Sequence, residues 1–256
     1  MSDIDTSKPN AARIYDYLLG GNLNFEADRA AAEQLISLIP SIRNGARLNR
    51  WFMYDAIQRL SEQHFRCYLD LATGLPTQGY IHDLLPDVTI VYNDLDPVTV
   101  INGKEVIGND PRVLYLQSNL LDTQAILNQA EEHFGGERQI GICFIGVSYF
   151  FDDAQLRSVF QTLYDWCAPG SQMAASWLML PDVPDPALVQ FLEMYKRIGV
   201  DLYGRKPAQI EELISPWRLV EDIRPLNEWN GVDAGWIDPK DLERDQNLFG
   251  CIIEKV

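Results

Sequence analysis

Seven short apolar runs, each the length of a strand, recur through the chain behind a helical first quarter, and helix-compatible stretches separate most of them. The runs cover residues 67–72, 88–92, 113–117, 140–147, 172–179, 217–223 and 248–254. Residues 78–85, 98–108, 122–134, 153–166 and 186–199 read as the helices between them. Strands alternating with helices specify an α/β protein whose parallel sheet is covered on both faces. Several runs are apolar on both faces, as a buried parallel strand requires. The expected architecture is therefore a seven-stranded, mostly parallel sheet with helices on both faces.

The N-terminal segment reads differently. Residues 11–19 suit a helix that closes at Gly20-Gly21, a C-cap and turn signal. Residues 25–39 are rich in Ala, Glu, Gln and Leu and stop at Pro40. Residues 42–62 place Ala46, Trp51, Phe52, Ala56, Ile57 and Leu60 close to helical spacing. We expect residues 1–65 to be a helical unit and residues 66–256 the α/β unit. Between 180 and 246 seven prolines (Pro181, Pro184, Pro186, Pro207, Pro216, Pro225, Pro239) predict the last helix, its connections and an insertion before the final strand. Residues 228–245, with two tryptophans, read as a long surface loop.

Charge and cysteine usage exclude several classes. At 256 residues the chain can bury a substantial core without staples. A net charge of −16 opposes general binding to a nucleic-acid backbone. The four cysteines, at 67, 143, 167 and 251, form no CxxC pair, and the three histidines have no ligand spacing, so neither a metal site nor a disulfide framework is expected. No run of about 20 apolar residues predicts a membrane span, and the polar residues 1–10 predict no secretory leader. A cytoplasmic location is the default.

In an open α/β sheet, ligands lie beyond the carboxyl ends of the strands, so the residues just after each run carry the functional information. After the first run comes Asp70-Leu71-Ala72-Thr73-Gly74-Leu75-Pro76-Thr77. An acid ends the strand, and a glycine four residues later lets a ligand approach the backbone. Pro76 and Thr77 stand where a dinucleotide loop would be glycine-rich, which disfavours a pyrophosphate cradle. After the second run comes Asn93-Asp94-Leu95-Asp96-Pro97, whose acid is placed to accept hydrogen bonds from the two ribose hydroxyls of an adenosine. After the third comes Ser118-Asn119-Leu120, with a polar side chain for an adenine amino group and a leucine for its ring. After the fourth comes Gly146-Val147-Ser148-Tyr149-Phe150-Phe151-Asp152-Asp153, an aromatic loop expected to face the same crevice. A single strand-end aspartate is commonly a cap or turn former. The ordered series of acid–Gly, acid and polar–Leu on three successive strands is what points to a nucleoside.

That series resembles the class I S-adenosylmethionine-dependent methyltransferases. Ala12-Arg13-Ile14-Tyr15-Asp16-Tyr17-Leu18-Leu19-Gly20-Gly21, then Asn24-Phe25 and Asp28-Arg29, resembles the N-terminal signature of one bacterial branch, the DUF574 or methyltransferase 19 family. Asn49-Arg50-Trp51-Phe52, the Asp70 block and Tyr92-Asn93-Asp94-Leu95-Asp96-Pro97 are similar to its next blocks, and the likeness covers most of residues 8–180. The resemblance implies a Rossmann-like methyltransferase sandwich with an N-terminal helical lid, S-adenosylmethionine as cofactor and a small-molecule substrate, in bacterial secondary metabolism. It places Asp70, Gly74 and Pro76, with Thr77, under the amino-acid part of the cofactor. Asp94, flanked by Asn93 and Leu95, takes the ribose, Ser118, Asn119 and Leu120 approach the adenine, and Ile145, Gly146 and Val147 form the floor near the sulfonium. Arg13, Tyr15, Tyr17, Gly20, Gly21, Asn24 and Arg50 are the lid positions, with Tyr17 preferred to Tyr15 as a ligand because it lies nearer the Gly-Gly turn. Arg13 or Arg50 could hold the cofactor carboxylate; alternatively, Arg13 and Asp16 form a local i, i+3 ion pair. The family's Ala-Asp and Leu-His-Phe blocks are replaced by Ser118-Asn119 and Val147-Ser148-Tyr149-Phe150, so the histidine that could serve as a base is missing.

Tyr17 and Tyr149 are the candidate catalytic residues. Together with Phe150 and Trp177, they are also candidates to stabilise the cationic sulfonium through their ring faces. Methyl transfer to a small metabolite is the principal expectation. Intramolecular cyclisation releasing methylthioadenosine, with an azetidine-2-carboxylate-type product, is the alternative, and a non-catalytic cofactor-binding protein is a third. Either a monomer or a homodimer is compatible with the sequence.

Overall fold

In the computed structural model, which describes residues 5–75, 80–229 and 247–256, Asn10 opens the first helix by accepting hydrogen bonds from the Ala12 and Arg13 backbone N–H groups. This helix, α1 (Ala11–Leu18), ends in a Schellman turn. The Gly21 N–H reaches Asp16 O at 2.8 Å and the Gly20 N–H reaches Tyr17 O at 3.0 Å, with Gly20 at φ 84°. The first turn of helix α2 (Glu26–Leu38) holds Asp28, whose buried carboxylate accepts from Phe25 N, Asn10 N and Arg13 Nε. That one side chain therefore joins the starts of α1 and α2. Helix α3 (Ile42–Ser61) buries Leu48, Phe52, Ala56, Ile57 and Leu60 against Tyr68, Ile90 and Tyr92 of the sheet. Trp51, expected on that face, is instead 38% exposed, and Met53 is buried in the same cluster. The buried positions 48, 52, 56 and 60 recur every four residues, and 51 falls off that stripe.

The remaining elements follow in order: β1 (Cys67–Leu71), α4 (Ile81–Leu84), β2 (Thr89–Asp94), α5 (Pro97–Ile107), β3 (Val113–Gln117), α6 (Thr123–His133), β4 (Gly141–Phe144), α7 (Asp153–Trp166), β5 (Gln172–Leu178), α8 (Pro186–Arg197), α9 (Pro207–Ile214), β6 (Arg218–Pro225), α10 (Leu226–Trp229) and β7 (Leu248–Glu254). Among the described residues the seven strands form one sheet in the order β3-β2-β1-β4-β5-β7-β6. Strands β1 to β5 run parallel, and β7 pairs antiparallel with both β5 and β6. The strand order reverses between β1 and β4, so the tips of the central strands open a crevice there.

Each face of the sheet has its own core. Leu69, Leu71, Ile142 and Phe144 pack with Ile126, Leu127, Val159 and Phe160 of α6 and α7. Tyr68, Ile90, Tyr92 and Cys143 pack with α3 on the other face. The alternation of Tyr68, Leu69, Asp70 and Leu71 thus sends Asp70 toward α3. A third cluster ties Ile14 and Leu18 of α1 to Ala32 and Leu35 of α2, with Phe191, Met194 and Tyr195 of α8 packed against it. Helices α9 and α10 are not expected from the sequence. The prolines between 180 and 246 suggest connections there, yet Pro207 stands at the N-terminus of α9, where its missing N–H costs nothing. The described part of the 78–85 helix is α4, and most of the 228–245 loop lies outside the described residues.

One close approach in the fold is testable. A Cβ at Gly103 of α5 would lie 2.1 Å from the Tyr115 ring and 2.7 Å from the Tyr80 hydroxyl. Gly103→Ala is expected to destabilise the protein by about 1–3 kcal/mol through overpacking, although alanine is the better helix former. Urea denaturation measures this, and a stabilised variant would contradict the packing described.

Candidate active site

Asp70 is the next-to-last residue of β1, and after Leu71 the chain turns through two left-handed residues, Ala72 (φ 55°) and Gly74 (φ 75°). A Cβ at Gly74 would meet nothing within 4 Å, so this turn borders open space. The loop is fixed from three sides. Thr73 N–H donates to Asn93 O at 2.9 Å, the Tyr115 hydroxyl donates to Gly74 O at 3.0 Å, and Gly74 N–H donates to Asp94 Oδ2 at 2.9 Å. Asp94 Oδ1 accepts from Asp96 N at 2.9 Å. Asn93 Nδ2 donates to both Ser118 O and Ser118 Oγ, at 2.9 and 2.7 Å. The tips of β1, β2 and β3 are thereby laced into one rigid edge.

Two carboxylates sit in that edge almost without solvent. Burial raises Asp70 to about 7, against the opposing pull of the Arg50 charge and a Thr73 hydrogen bond. Burial likewise raises Asp94 to about 6, against the backbone N–H groups that it accepts. Arg50 is itself buried on α3, donates to Met53 Sδ at 3.3 Å, and its charge acts on Asp70. Leu95, next to Asp94, is 64% exposed, an apolar surface beside an acid. Ser118 is half-buried, Asn119 is exposed and accepts from Leu121 N, and Leu120 is buried. Beyond β4, Ile145 and Gly146 are half-buried and Val147 is buried. Pro76 and Thr77 lie outside the described residues.

The positions expected in the lid divide in two. The charge of Arg50 acts on Asp70 at the strand tips. The others are engaged in the helical unit's own construction. Arg13 reaches Asp28 at 2.9 Å, Lys8 O at 2.8 Å and Asp96 at 3.6 Å, so it bolts α1 to α2 and to the start of α5. Asp16 accepts from Leu23 N and from Asn24 Nδ2, and Asn24 also donates to Gly21 O. The sequence offers Arg13 either a ligand or Asp16, but its close contacts are Asp28, Lys8 O and Asp96. Tyr17 is corrected as well. Its hydroxyl donates to Glu33 on the exposed side of α1 and α2, and Arg43 covers its ring. It is not placed to act at the strand tips.

The aromatic candidates are redistributed. Trp177 is a core residue, with its indole N–H directed to Cys251 Sγ and its ring edge-on to Phe160. Phe150 packs against the core and against the Tyr149 ring. Tyr149 is the one that stays near the crevice, since a Cβ on Gly146 would lie 3.6 Å from its hydroxyl. Burial holds Tyr149 well above the usual phenol range, so it remains protonated and can donate but not act as a base near neutral pH. Two supporting residues are not evident from the sequence. Ser176 of β5 accepts from Gly146 N at 2.8 Å through Oγ and from Ser148 Oγ at 2.6 Å through its carbonyl. Arg205, buried, donates to Ser148 O and Phe151 O and pairs with Asp153. A lone serine in the apolar run of β5 is a usable signal; nothing local marks Arg205.

This edge fits an adenosine-bearing sulfonium cofactor. Gly74 offers backbone with open space, and Asp94 retains lone pairs beyond those taken by Gly74 and Asp96. Asp70 with Arg50 offers one charge of each sign for an amino acid, and Leu95 offers an apolar plate. The fold and this edge define a class I methyltransferase. A profile of the S-adenosyl methyltransferase family matches residues 1–250. The chain belongs to that family, is an S-adenosylmethionine-dependent methyltransferase and uses S-adenosylmethionine as its cofactor. A candidate methyltransferase from Thermobifida fusca is 28% identical over 99% of this chain and 97% of its own, with a TM-score of 0.86. A DUF574 family protein from Streptomyces avermitilis is 24% identical over 99% of this chain and 100% of its own, also at 0.86. Human N-acetylserotonin methyltransferase, solved in complex with S-adenosylmethionine, shares the fold at 14% identity, with 97% of this chain and 63% of that one covered and a TM-score of 0.50. No curated protein sequence matches the chain. None of these comparisons supports the cyclising or the non-catalytic alternative. Among the described residues no helix is long and apolar enough to cross a membrane.

Proposed function

We propose that the cofactor lies across the tips of β1, β2 and β3 and that the methyl group passes to a small-molecule acceptor. The observation that carries the reading is the Gly74–Asp94 hydrogen bond, which locks the open glycine turn onto the strand-end acid. Bound S-adenosylmethionine supplies an electrophilic methyl group on sulfur. Asp94 accepts from the ribose hydroxyls, Leu95 and Ser118 with Asn119 border the adenine, and Gly74 lets the amino-acid part pass close to the backbone. Asp70 and Arg50 pair with the amino and carboxylate groups respectively. Residues 1–65 act as the lid through Arg50 and Asn49 of α3, while Arg13, Asn24, Gly20 and Gly21 set the lid's shape. The protein's contribution is alignment of the acceptor and exclusion of water, since Tyr149 stays protonated and the family's histidine is replaced. Four buried free cysteines accord with the reducing cytoplasm that we assign to it.

Asp94→Ala is expected to weaken S-adenosylhomocysteine binding by about 1–3 kcal/mol, the cost of losing charge-assisted hydrogen bonds. Calorimetric titration of the full chain checks this, and an unchanged affinity would remove Asp94 from the site.

A further inference from the structure

A cavity of about 530 Å³ lies beside the strand tips, walled by α1, α3, α8 and the segment after β5. That volume is in the range of small-molecule sites. Its lining is mostly apolar and rich in rings, including Tyr15, Phe191 and Tyr195. It adjoins the crevice through Tyr149, which lines the cavity while its hydroxyl stands 3.6 Å from the Cβ position of the floor residue Gly146. Helix α3 separates the two spaces. Asn49 lines the cavity, whereas Arg50, one residue on and about 100° around the helix, is not among its lining residues, and its charge acts on Asp70.

Several polar side chains line this cavity, among them Tyr15, Ser41, Asn49, Tyr149 and Tyr195. The Tyr15 hydroxyl donates to Ala46 O at 2.8 Å. The Asn49 side chain and Tyr149 both line the cavity. Asn49 is 2% exposed, and its Oδ1 has no hydrogen-bond partner among the described residues. A buried amide oxygen left unmatched is costly, and a ligand that donates to it recovers that cost. Among the lining residues there is no Lys, Arg or His, and the one carboxylate, Asp185, is exposed at the rim. An anion would enter without a counter-charge and meet a rim of its own sign.

We propose that this cavity receives the methyl acceptor and that Asn49 selects it: an uncharged, predominantly apolar ring compound carrying an O–H or N–H that donates to Asn49 Oδ1. The proposal rests on the methyltransferase reading for the word acceptor, but the chemical selectivity belongs to the cavity itself. The hydrogen bond to Asn49 places the donor-bearing atom beside Tyr149 and hence next to the crevice floor.

Binding of three probes to the full chain tests it, by calorimetry with and without saturating S-adenosylhomocysteine. The probes are 2-naphthol, 2-methoxynaphthalene, which lacks the donor, and 2-naphthoate, which is anionic. In the unmodified protein 2-naphthol should bind about tenfold more tightly than 2-methoxynaphthalene, the factor expected of one hydrogen bond to a buried acceptor. 2-Naphthoate should bind more weakly than both. Asn49→Leu should abolish the preference for 2-naphthol while leaving 2-methoxynaphthalene within about twofold, as removal of a single hydrogen bond predicts. Equal affinity for 2-naphthol and its methyl ether in the unmodified protein overturns the proposal, as does tight binding of 2-naphthoate. That comparison needs no variant, so it decides the matter even where the Asn49→Leu protein is unstable. Failure of S-adenosylhomocysteine to bind, with the 2-naphthol preference intact, would overturn the cofactor reading and support the selectivity assigned to Asn49.

Discussion

Replacing Asp70 by asparagine is expected to remove a large part of the pH dependence of stability in the ligand-free protein while crippling cofactor binding. Asp70 is raised from 3.8 to about 7 by burial. Between those values the folded state holds a proton that the unfolded state has lost, so stability falls as pH rises through this window. Above about pH 7 the full penalty is present, on the order of 4 kcal/mol from roughly 1.4 kcal/mol per pH unit. Asparagine cannot ionise. The stability difference between variant and unmodified protein should therefore favour the variant more at pH 8 than at pH 5 by a few kcal/mol. Urea denaturation at both pH values reads this directly, and parallel behaviour of the two proteins would show that Asp70 is not held uncharged by its surroundings. Binding should move the other way: S-adenosylhomocysteine affinity should fall by about 10- to 100-fold with the loss of a charge-assisted contact. A residue that costs stability and supports binding is what a functional carboxylate in a dry crevice looks like.

The tips that hold Asp70 and Asp94 are legible because their signals are local. A strand buried on both faces can be read from five or six consecutive residues, and the acid or glycine that follows is in the same stretch of sequence. The predicted runs at 113–117 and 248–254 match β3 and β7, and the 153–166 helix matches α7. The N-terminal segment is legible as helices but not as chemistry. Arg13 and Tyr17 find their partners, Asp28 and Glu33, 15 and 16 residues away, and these contacts follow from how α1 folds back on α2. Trp51 and Trp177 depart from expectation in opposite directions for the same reason. Whether a ring is in the core or on the surface depends on helix phase and on the neighbouring strand, which composition does not contain. The cavity is the least legible feature. Its walls come from α1, α3, α8 and the segment after β5, and Asn49, although it opens a block that resembles the family's, is not marked there as a residue of a cavity.

Arg205→Ala is expected to lower stability by about 3 kcal/mol, and its functional effect should fall on the acceptor cavity more than on the cofactor edge. The guanidinium is almost fully buried and spans 2.6 Å to Phe151 O, 3.2 Å to Ser148 O, 3.4 Å to Tyr203 O and 2.9 Å to Asp153. Truncation leaves those carbonyls without their donor, and the cost of breaking such a buried, charged network is several kcal/mol. Lysine should restore little, because a single ammonium cannot reach the same set that the planar fork serves. The segment that Arg205 holds carries Tyr149, whose carbonyl accepts from Tyr203 N at 2.8 Å. Once that segment loosens, the cavity wall that Tyr149 shares with Asn49 shifts, and the discrimination between 2-naphthol and 2-methoxynaphthalene should collapse. The cradle of Gly74, Asp94 and Asn93 rests on β1, β2 and β3 and does not touch Arg205, so S-adenosylhomocysteine should bind within a few-fold of its original affinity at a temperature where the variant is folded. Equal loss of both ligands would mean that the two spaces are one cooperative unit, and would remove the division of labour across α3.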